Sequence, residues 1–139
     1  MIDYHYEGKF HLEDSNKYTS WIKNVLESEN AQLGDLSYIF CTDEYLIELN
    51  QKYLEHNSYT DIITFDYSEK DIISGEIYIS VDRVRENALH FNEEFNKELQ
   101  RVMAHGVLHL LGYKDKTEKE REEMRTKENE KIKMFHVKQ

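Results

Sequence analysis

Cysteine is almost missing from this chain. Cys41 stands alone among 139 residues, so no intramolecular disulfide is possible and a thiolate zinc cage of the finger type is excluded. A reducing compartment suits such a composition. Proline is absent altogether, and no Gly/Ser-rich linker, low-complexity tract or internal repeat takes over its role as punctuation between domains. The expectation is therefore one domain, residues 1–139, large enough to bury a core without disulfide staples. No apolar run is long enough to span a bilayer, and Met1-Ile2-Asp3-Tyr4-His5-Tyr6-Glu7 contains acids and lacks the apolar stretch of a signal peptide, which argues against a signal or transit peptide. A cytoplasmic protein without a membrane span is expected. Positive charge is also scarce: 18 basic residues against 28 acidic ones leave a net charge of −10, which excludes a grip on nucleic acid by bulk charge and leaves only local contacts.

Hydrophobic residues make up 39% of the chain and charged residues 33%, a globular balance. Tyr18, Trp21, Ile22, Val25 and Leu26 repeat at helical spacing between Ser15 and Glu29, behind a serine cap. Leu36 to Cys41 reads as a strand, and Thr42 as the cap of a helix with Tyr45, Leu46, Leu49 and Tyr53 on one face, ending in the polar run Glu55-His56-Asn57-Ser58. Ile62–Phe65 and Ile72–Ile79 are β-branched and aromatic and predict a hairpin or adjacent strand pair. Helices are expected from Val81 to about Leu89, from about Glu93 to Leu111, and from Thr117, where Thr117 and Glu120 form a capping box. This alternation predicts an α/β (α+β) fold: a small mixed β-sheet of about four strands covered by helices, with a buried metal-binding helix at its centre.

That helix carries its apolar stripe at Phe95, Leu99, Val102, Met103, Gly106 and Leu110, with His105 and His109 beside it. Side chains one turn apart have Cβ atoms roughly 5–6 Å apart, close enough for two imidazoles to share one ion at about 2.0–2.1 Å from each nitrogen. A bare pair of this spacing is often just two solvated residues. Here it lies in the apolar run from Val102 to Leu111, where two unpartnered imidazoles would be buried at a cost. Gly112 suits a left-handed helix stop, and the chain beyond it can carry Asp115 toward the open side of the two rings as a third ligand. Gly106 stands where H-E-x-x-H peptidases carry their glutamate base, which weighs against a peptidase.

The run His105-Gly106-Val107-Leu108-His109-Leu110-Leu111-Gly112-Tyr113 resembles the signature of the YbeY family, bacterial zinc-dependent endoribonucleases of ribosomal RNA maturation. Leu49-Asn50-Gln51-Lys52-Tyr53, Thr60-Asp61-Ile62-Ile63-Thr64-Phe65 and Gly75-Glu76-Ile77-Tyr78-Ile79-Ser80 agree with it in order and spacing, so that the likeness runs from about Leu36 to the last helix. Two positions depart from the pattern. The family usually closes Gly-Tyr-Asp-His and uses that histidine as third ligand, where this chain has Gly112-Tyr113-Lys114-Asp115. The family also commonly places an arginine directly after the tyrosine of the Leu-Asn segment, where this chain has Leu54, with Lys52 and His56 as the nearby basic candidates.

The resemblance implies one zinc ion per chain on His105, His109 and Asp115, and an enzyme that prefers single-stranded RNA, acts in the processing of small-subunit (16S) ribosomal RNA and in ribosome quality control, and meets the small subunit or its proteins. A monomer is expected. Asp61 and Glu76 are candidate bases or supports for the ligands. A ribosome-assembly protein with mainly structural zinc is the second reading, favoured by Leu54 and the net charge; a minimal metallopeptidase is the third. Cys41 reads as core, and His5, His11, His56, His90 and His136 lack ligand spacing.

Overall fold

In the computed structural model, which describes residues 1–54 and 60–136, four strands form a mixed sheet in the order β1-β2-β4-β3. Strand β1 (Ile2–Tyr6) runs parallel to β2 (Gln32–Cys41), and β2 parallel to β4 (Ile72–Ser80). Strand β3 (Ile62–Asp66) is antiparallel to β4, with Ile62 opposite Ile79 and Thr64 opposite Ile77, the pairing that the two β-branched runs predict. Parallel neighbours need long connections. Helix α1 (Ser15–Ser28) supplies the first; α2 (Asp43–Leu54) together with β3 supplies the second. Helices α3 (Val81–His90), α4 (Phe95–Leu110) and α5 (Glu118–Phe135) follow β4.

Period-two alternation divides the sheet into two faces. Leu36, Tyr38, Phe40, Ile77 and Ile79 join α1 and α4 in the main core, while Cys41, Ile63 and Leu46 form a smaller cluster under α2 with Phe65 and Tyr78. Cys41 is buried there as expected, with burial pushing its thiol up to about 12. From Glu98 onward helix α4 is buried nearly all round, with Leu99, Met103, Ala104, Val107 and Leu108 all fully buried, as befits a central helix. Gly106 lets it sit close: a Cβ there would lie 2.9 Å from Ile77 Cγ2 and 3.0 Å from Ile62 Cδ1. The glutamate of a peptidase motif would have to enter this contact.

Helix α5 opens with the expected capping box, Glu120 N donating to Thr117 Oγ1 and the Thr117 N–H to Glu120 Oε1. It is clamped onto α1 by a polar cluster. The fully buried Lys131 donates from Nζ to Glu29 Oε2 (2.9 Å) and Ser28 Oγ (2.9 Å), Lys127 Nζ reaches Glu29 Oε2 at 3.2 Å, and the Tyr113 hydroxyl donates to Glu29 Oε1. Burial opposes the charge of Glu29, but these donors outweigh it and hold the carboxyl at about 2, down from 4.5. Trp21 Nε1 donates to the Lys131 carbonyl at 2.7 Å, fixing the same turn.

Several expectations are corrected. The first strand was not anticipated, because Asp3 and His5 interrupt the apolar residues; they face outward while Ile2, Tyr4 and Tyr6 pack on the core. Strand β2 begins at Gln32 rather than Leu36, its polar start pairing in register with Ile72 and Ile73. Ser15 is the first residue of α1 and not its cap: Asp14 precedes it in a left-handed conformation (φ 55°) without a side-chain cap bond. On α2, Leu46 and Asn50 are buried but Tyr53 is 57% exposed, so the inner face is narrower than the tyrosine spacing suggested. The proposed polar end of that helix, Glu55 to Ser58, lies outside the described residues.

Candidate metal centre

The last turns of α4 present His105 and His109 with ring centroids 4.5 Å apart and planes at 81°. Their Nε2 atoms lie 2.9 Å apart. Gly112 then adopts φ 104°, a left-handed conformation that a Cβ would penalise, and the Tyr113 N–H closes the helix by donating to the Leu108 carbonyl at 3.0 Å. This turn reverses the chain. Asp115 returns over the two rings with Oδ2 at 3.2 Å from His109 Nε2 and 3.3 Å from His105 Nε2.

The other ring nitrogens determine what these three atoms are. His109 Nδ1 lies 3.0 Å from the Tyr113 carbonyl oxygen, which only accepts, so Nδ1 carries the proton. His105 Nδ1 lies 2.6 Å from Glu128 Oε2, a carboxylate, and donates in the same way. In the neutral rings both Nε2 atoms therefore turn lone pairs toward each other and toward the Asp115 carboxylate. Three acceptors converging in this way repel one another unless a cation lies among them. The separations of 2.9, 3.2 and 3.3 Å match the ligand edges of a tetrahedral ion with bonds of about 2.0–2.1 Å, which are roughly 3.3 Å. Among the described residues, His105, His109 and Asp115 are the group of three that could hold a metal ion.

Glu128 was missed in the sequence. Its carboxylate is nearly buried, with Oε2 on His105 and Oε1 accepting from Arg101 Nη1 at 3.2 Å. Arg101 is held in turn by Asn129 Oδ1 at 2.9 Å and lies 3.9 Å from Glu98 Oε1. Burial disfavours a charged His105, but the hydrogen bond and charge of Glu128, with Asp61 and Asp115, outweigh it and raise its pKa. The signal for Glu128 was its place in a sparse stripe: Met124, Glu128, Lys131, Ile132 and Phe135 are the buried positions of an otherwise exposed helix.

Of the two candidate acids, only Asp61 comes near the centre. It lines a cleft of about 450 Å³ with His105, Asp115 and Glu128, and burial raises its carboxyl, against the lowering effect of His105. Glu76 is on the opposite sheet face, where it accepts from the Tyr67 hydroxyl at 3.1 Å; its neighbours Gly75 and Ile77 are the β4 residues that face α4. The Glu76 expectation is thereby corrected. Lys52 is an exposed residue lying 5.4 Å from the centre of the Tyr53 ring. His56 falls outside the described residues.

Comparison with known proteins places nearly the whole chain in one family. Residues 4–136 match the family model described as Endoribonuclease YbeY. This chain belongs to the YbeY family. Among its YbeY relatives, the protein from Flavobacterium psychrophilum is 53% identical over 139 residues, covering 100% of this chain and 99% of that one, and carries the name Endoribonuclease YbeY. The Christiangramia forsetii protein of the same name is 53% identical over 138 residues, covering 99% of this chain and 96% of its own. A solution structure from Thermotoga maritima has a TM-score of 0.70 at 31% identity, over 97% of this chain and 89% of that one. The YbeY match reaches further toward the N-terminus than the motifs alone suggested, taking in α1 and most of β1.

Proposed function

We propose that this chain is an endoribonuclease that prefers single-stranded RNA, uses one zinc ion on His105, His109 and Asp115, and acts in the cytoplasm on small-subunit (16S) ribosomal RNA during maturation and quality control. The observation that carries the reading is the convergence of two imidazole lone pairs and a carboxylate within 3.3 Å. The names of the relatives support the reaction class. The small ribosomal subunit or its proteins are the proposed partners, engaged by a monomer. No helix among the described residues is long and apolar enough to cross a membrane.

A bound zinc ion would supply a Lewis acid for a phosphate oxygen and a water whose pKa falls to about 7. Three protein ligands are the number that leaves a position open for such chemistry. The surrounding residues have definable tasks. Glu128 and the Tyr113 carbonyl hold the two rings in the tautomer that directs Nε2 inward. Asp61, in the same cleft with its affinity for protons raised by burial, is assigned as the group that takes up the proton of the attacking water. Asp115 replaces the family's histidine with a harder, anionic donor, which lowers the Lewis acidity of the site and shifts its metal preference toward ions that favour oxygen. Leucine at 54 offers no guanidinium to a phosphate, so that contact must come from another side chain.

The test is cleavage of a single-stranded RNA by zinc-loaded protein, with His109→Ala abolishing it while the fold survives. Cleavage unchanged in that variant would expose a contaminating nuclease and overturn the assignment. Anomalous diffraction at the zinc edge checks the ligands directly; an ion beyond bonding distance of Asp115 removes it from the set. The net charge of −10 favours the second reading, a ribosome-assembly protein with structural zinc. On that reading, stripping the metal lowers the melting temperature steeply and no nuclease activity is lost.

A further inference from the structure

The cleft beside the metal centre extends well past the three candidate ligands. Helix α4 packs against α3 on one side and α5 on the other, and the cleft follows α4 between them. From α5 it receives Arg121, Met124, Arg125 and Glu128, positions i, i+3, i+4 and i+7 of one helical stripe. From the end of α3 it receives Asn87 and Phe91, which is 59% exposed and whose ring meets that of His90 edge-on at 5.0 Å. An exposed phenylalanine and two arginines thus border the same cleft as His105 and Asp115.

The charged groups of this cleft are not equivalent. Arg101 is consumed by Glu128, Asn129 and Glu98 and has its side chain only 15% exposed. Arg125 is 56% exposed, with its ion contact to Glu128 stretched to 4.0 Å. Arg121 donates one guanidinium N–H to the Lys116 carbonyl at 2.7 Å and leaves the rest of its fork to solvent. The carboxylates facing the cleft are Asp61, Glu98, Asp115 and Glu128. Glu98 and Glu128 are matched by Arg101, while Asp115 lies on the imidazoles and Asp61 faces the charge of His105, so the donors these carboxylates leave available are those of Arg121 and, apart from its 4.0 Å contact with Glu128, of Arg125. In a chain this acidic, two exposed guanidinium groups beside a candidate metal centre form the kind of local cationic contact that bulk charge does not provide.

We propose that this cleft seats one nucleotide unit of a single-stranded RNA, with Arg121 and Arg125 gripping its phosphate and Phe91 stacking under its base. The assignment rests on the endoribonuclease reading and adds to it the side chains that replace the arginine missing at position 54. A guanidinium fork matches a phosphate, and an exposed aromatic face accepts any base, so the seat is tolerant of sequence and selective for unpaired strands. A duplex keeps its bases stacked inside and cannot offer one to Phe91.

Anisotropy titration of a labelled single-stranded RNA onto metal-free protein, where no cleavage competes, reads the seat directly; the same titration is repeated with zinc. Replacing both arginines (Arg121→Gln, Arg125→Gln) should weaken binding about tenfold and flatten the dependence of log K on log salt by about 0.7 for each phosphate that is no longer neutralised. Phe91→Ala should weaken binding by about five- to tenfold, Phe91→Tyr should restore it, and an abasic strand should bind wild type and Phe91→Ala alike. Variants indistinguishable from wild type overturn the seat, as does a Phe91→Ala effect that persists on the abasic strand. Equal displacement of RNA by an acidic peptide that is insensitive to Phe91 would assign the cleft to a protein partner instead. Cleavage by wild type with unaltered variants defeats this inference alone. Wild-type protein that neither binds nor cleaves the strand defeats the function reading as well.

Discussion

Helix α5 takes part in two charged clusters that are chemically opposite. At Glu29, a carboxylate is surrounded by Lys131, Lys127 and the Tyr113 hydroxyl, so every acceptor has its donor within the chain. At His105, Glu128 and Arg101 also satisfy each other, but with both rings neutral the inner edge of the cluster is three acceptors and no donor. The first cluster is electrostatically closed and serves to fasten α5 to α1. The second is open toward a cation and is fit to bind one. Two sets of similar residues, joined by one helix, thus differ in whether the chain completes its own charge balance. Tyr113 belongs to both, its hydroxyl on Glu29 and its carbonyl on His109 Nδ1.

This contrast can be broken at either cluster. The largest effect is expected from His109→Ala: RNA cleavage and zinc affinity should fall by more than ~100-fold, with the far-ultraviolet dichroism and urea midpoint of the metal-free protein near wild type. Lys131→Met should do the reverse. It leaves Glu29 with an uncompensated share of its charge in a nearly buried site and should lower the unfolding free energy by about 3 kcal/mol in urea titration, with zinc affinity unchanged. A parallel fall in zinc affinity would show that the two clusters are coupled through Tyr113.

Glu128→Gln is the intermediate case. It keeps an oxygen for His105 Nδ1 but removes the charge that makes the ring a strong donor to metal, and zinc affinity should fall about 10- to 100-fold by competition with a chromophoric chelator. The smallest effect is in acid. The carboxyl of Glu29 is held at about 2 against an ordinary 4.5, so its stabilisation is complete above pH 4.5 and is lost as the pH falls toward 2. Screening by solvent at the cluster's edge limits this to about 1–2 kcal/mol. Wild type should show that loss in urea midpoints measured down the acid limb, and Lys131→Met should show a shallower one.

Much of the fold was legible because its elements announce themselves locally. Tyr18, Trp21, Ile22, Val25 and Leu26 repeat with a helical period and are all buried; Thr117 and Glu120 form the capping box their spacing predicts; Ile62–Phe65 and Ile72–Ile79 pair. The edge strand β1 was harder to see, since period-two alternation over five residues with Asp3 and His5 outward resembles a polar terminus until β2 is placed beside it. At the site, His105, His109 and Gly112 carry their geometry in their spacing. Glu128 does not, because it lies 23 residues beyond His105 on a helix crowded with acids. Glu76 was the opposite error: it lies within a family-like segment, yet on the wrong side of the sheet by the parity of one residue.

By itself, then, the sequence determined the central helix, the one-turn spacing of its two histidines, the glycine stop and the family, because each is a local periodicity or a short motif. Only the tertiary structure decided which acids meet those histidines and which merely resemble partners. That choice depends on how α5 lies across α4 and on which face of β4 a residue occupies, and side-chain chemistry alone carries neither. The candidate centre is three acceptors brought within 3.3 Å by a helix and a turn, with one ring oriented by a glutamate of the following helix and the other by the Tyr113 carbonyl.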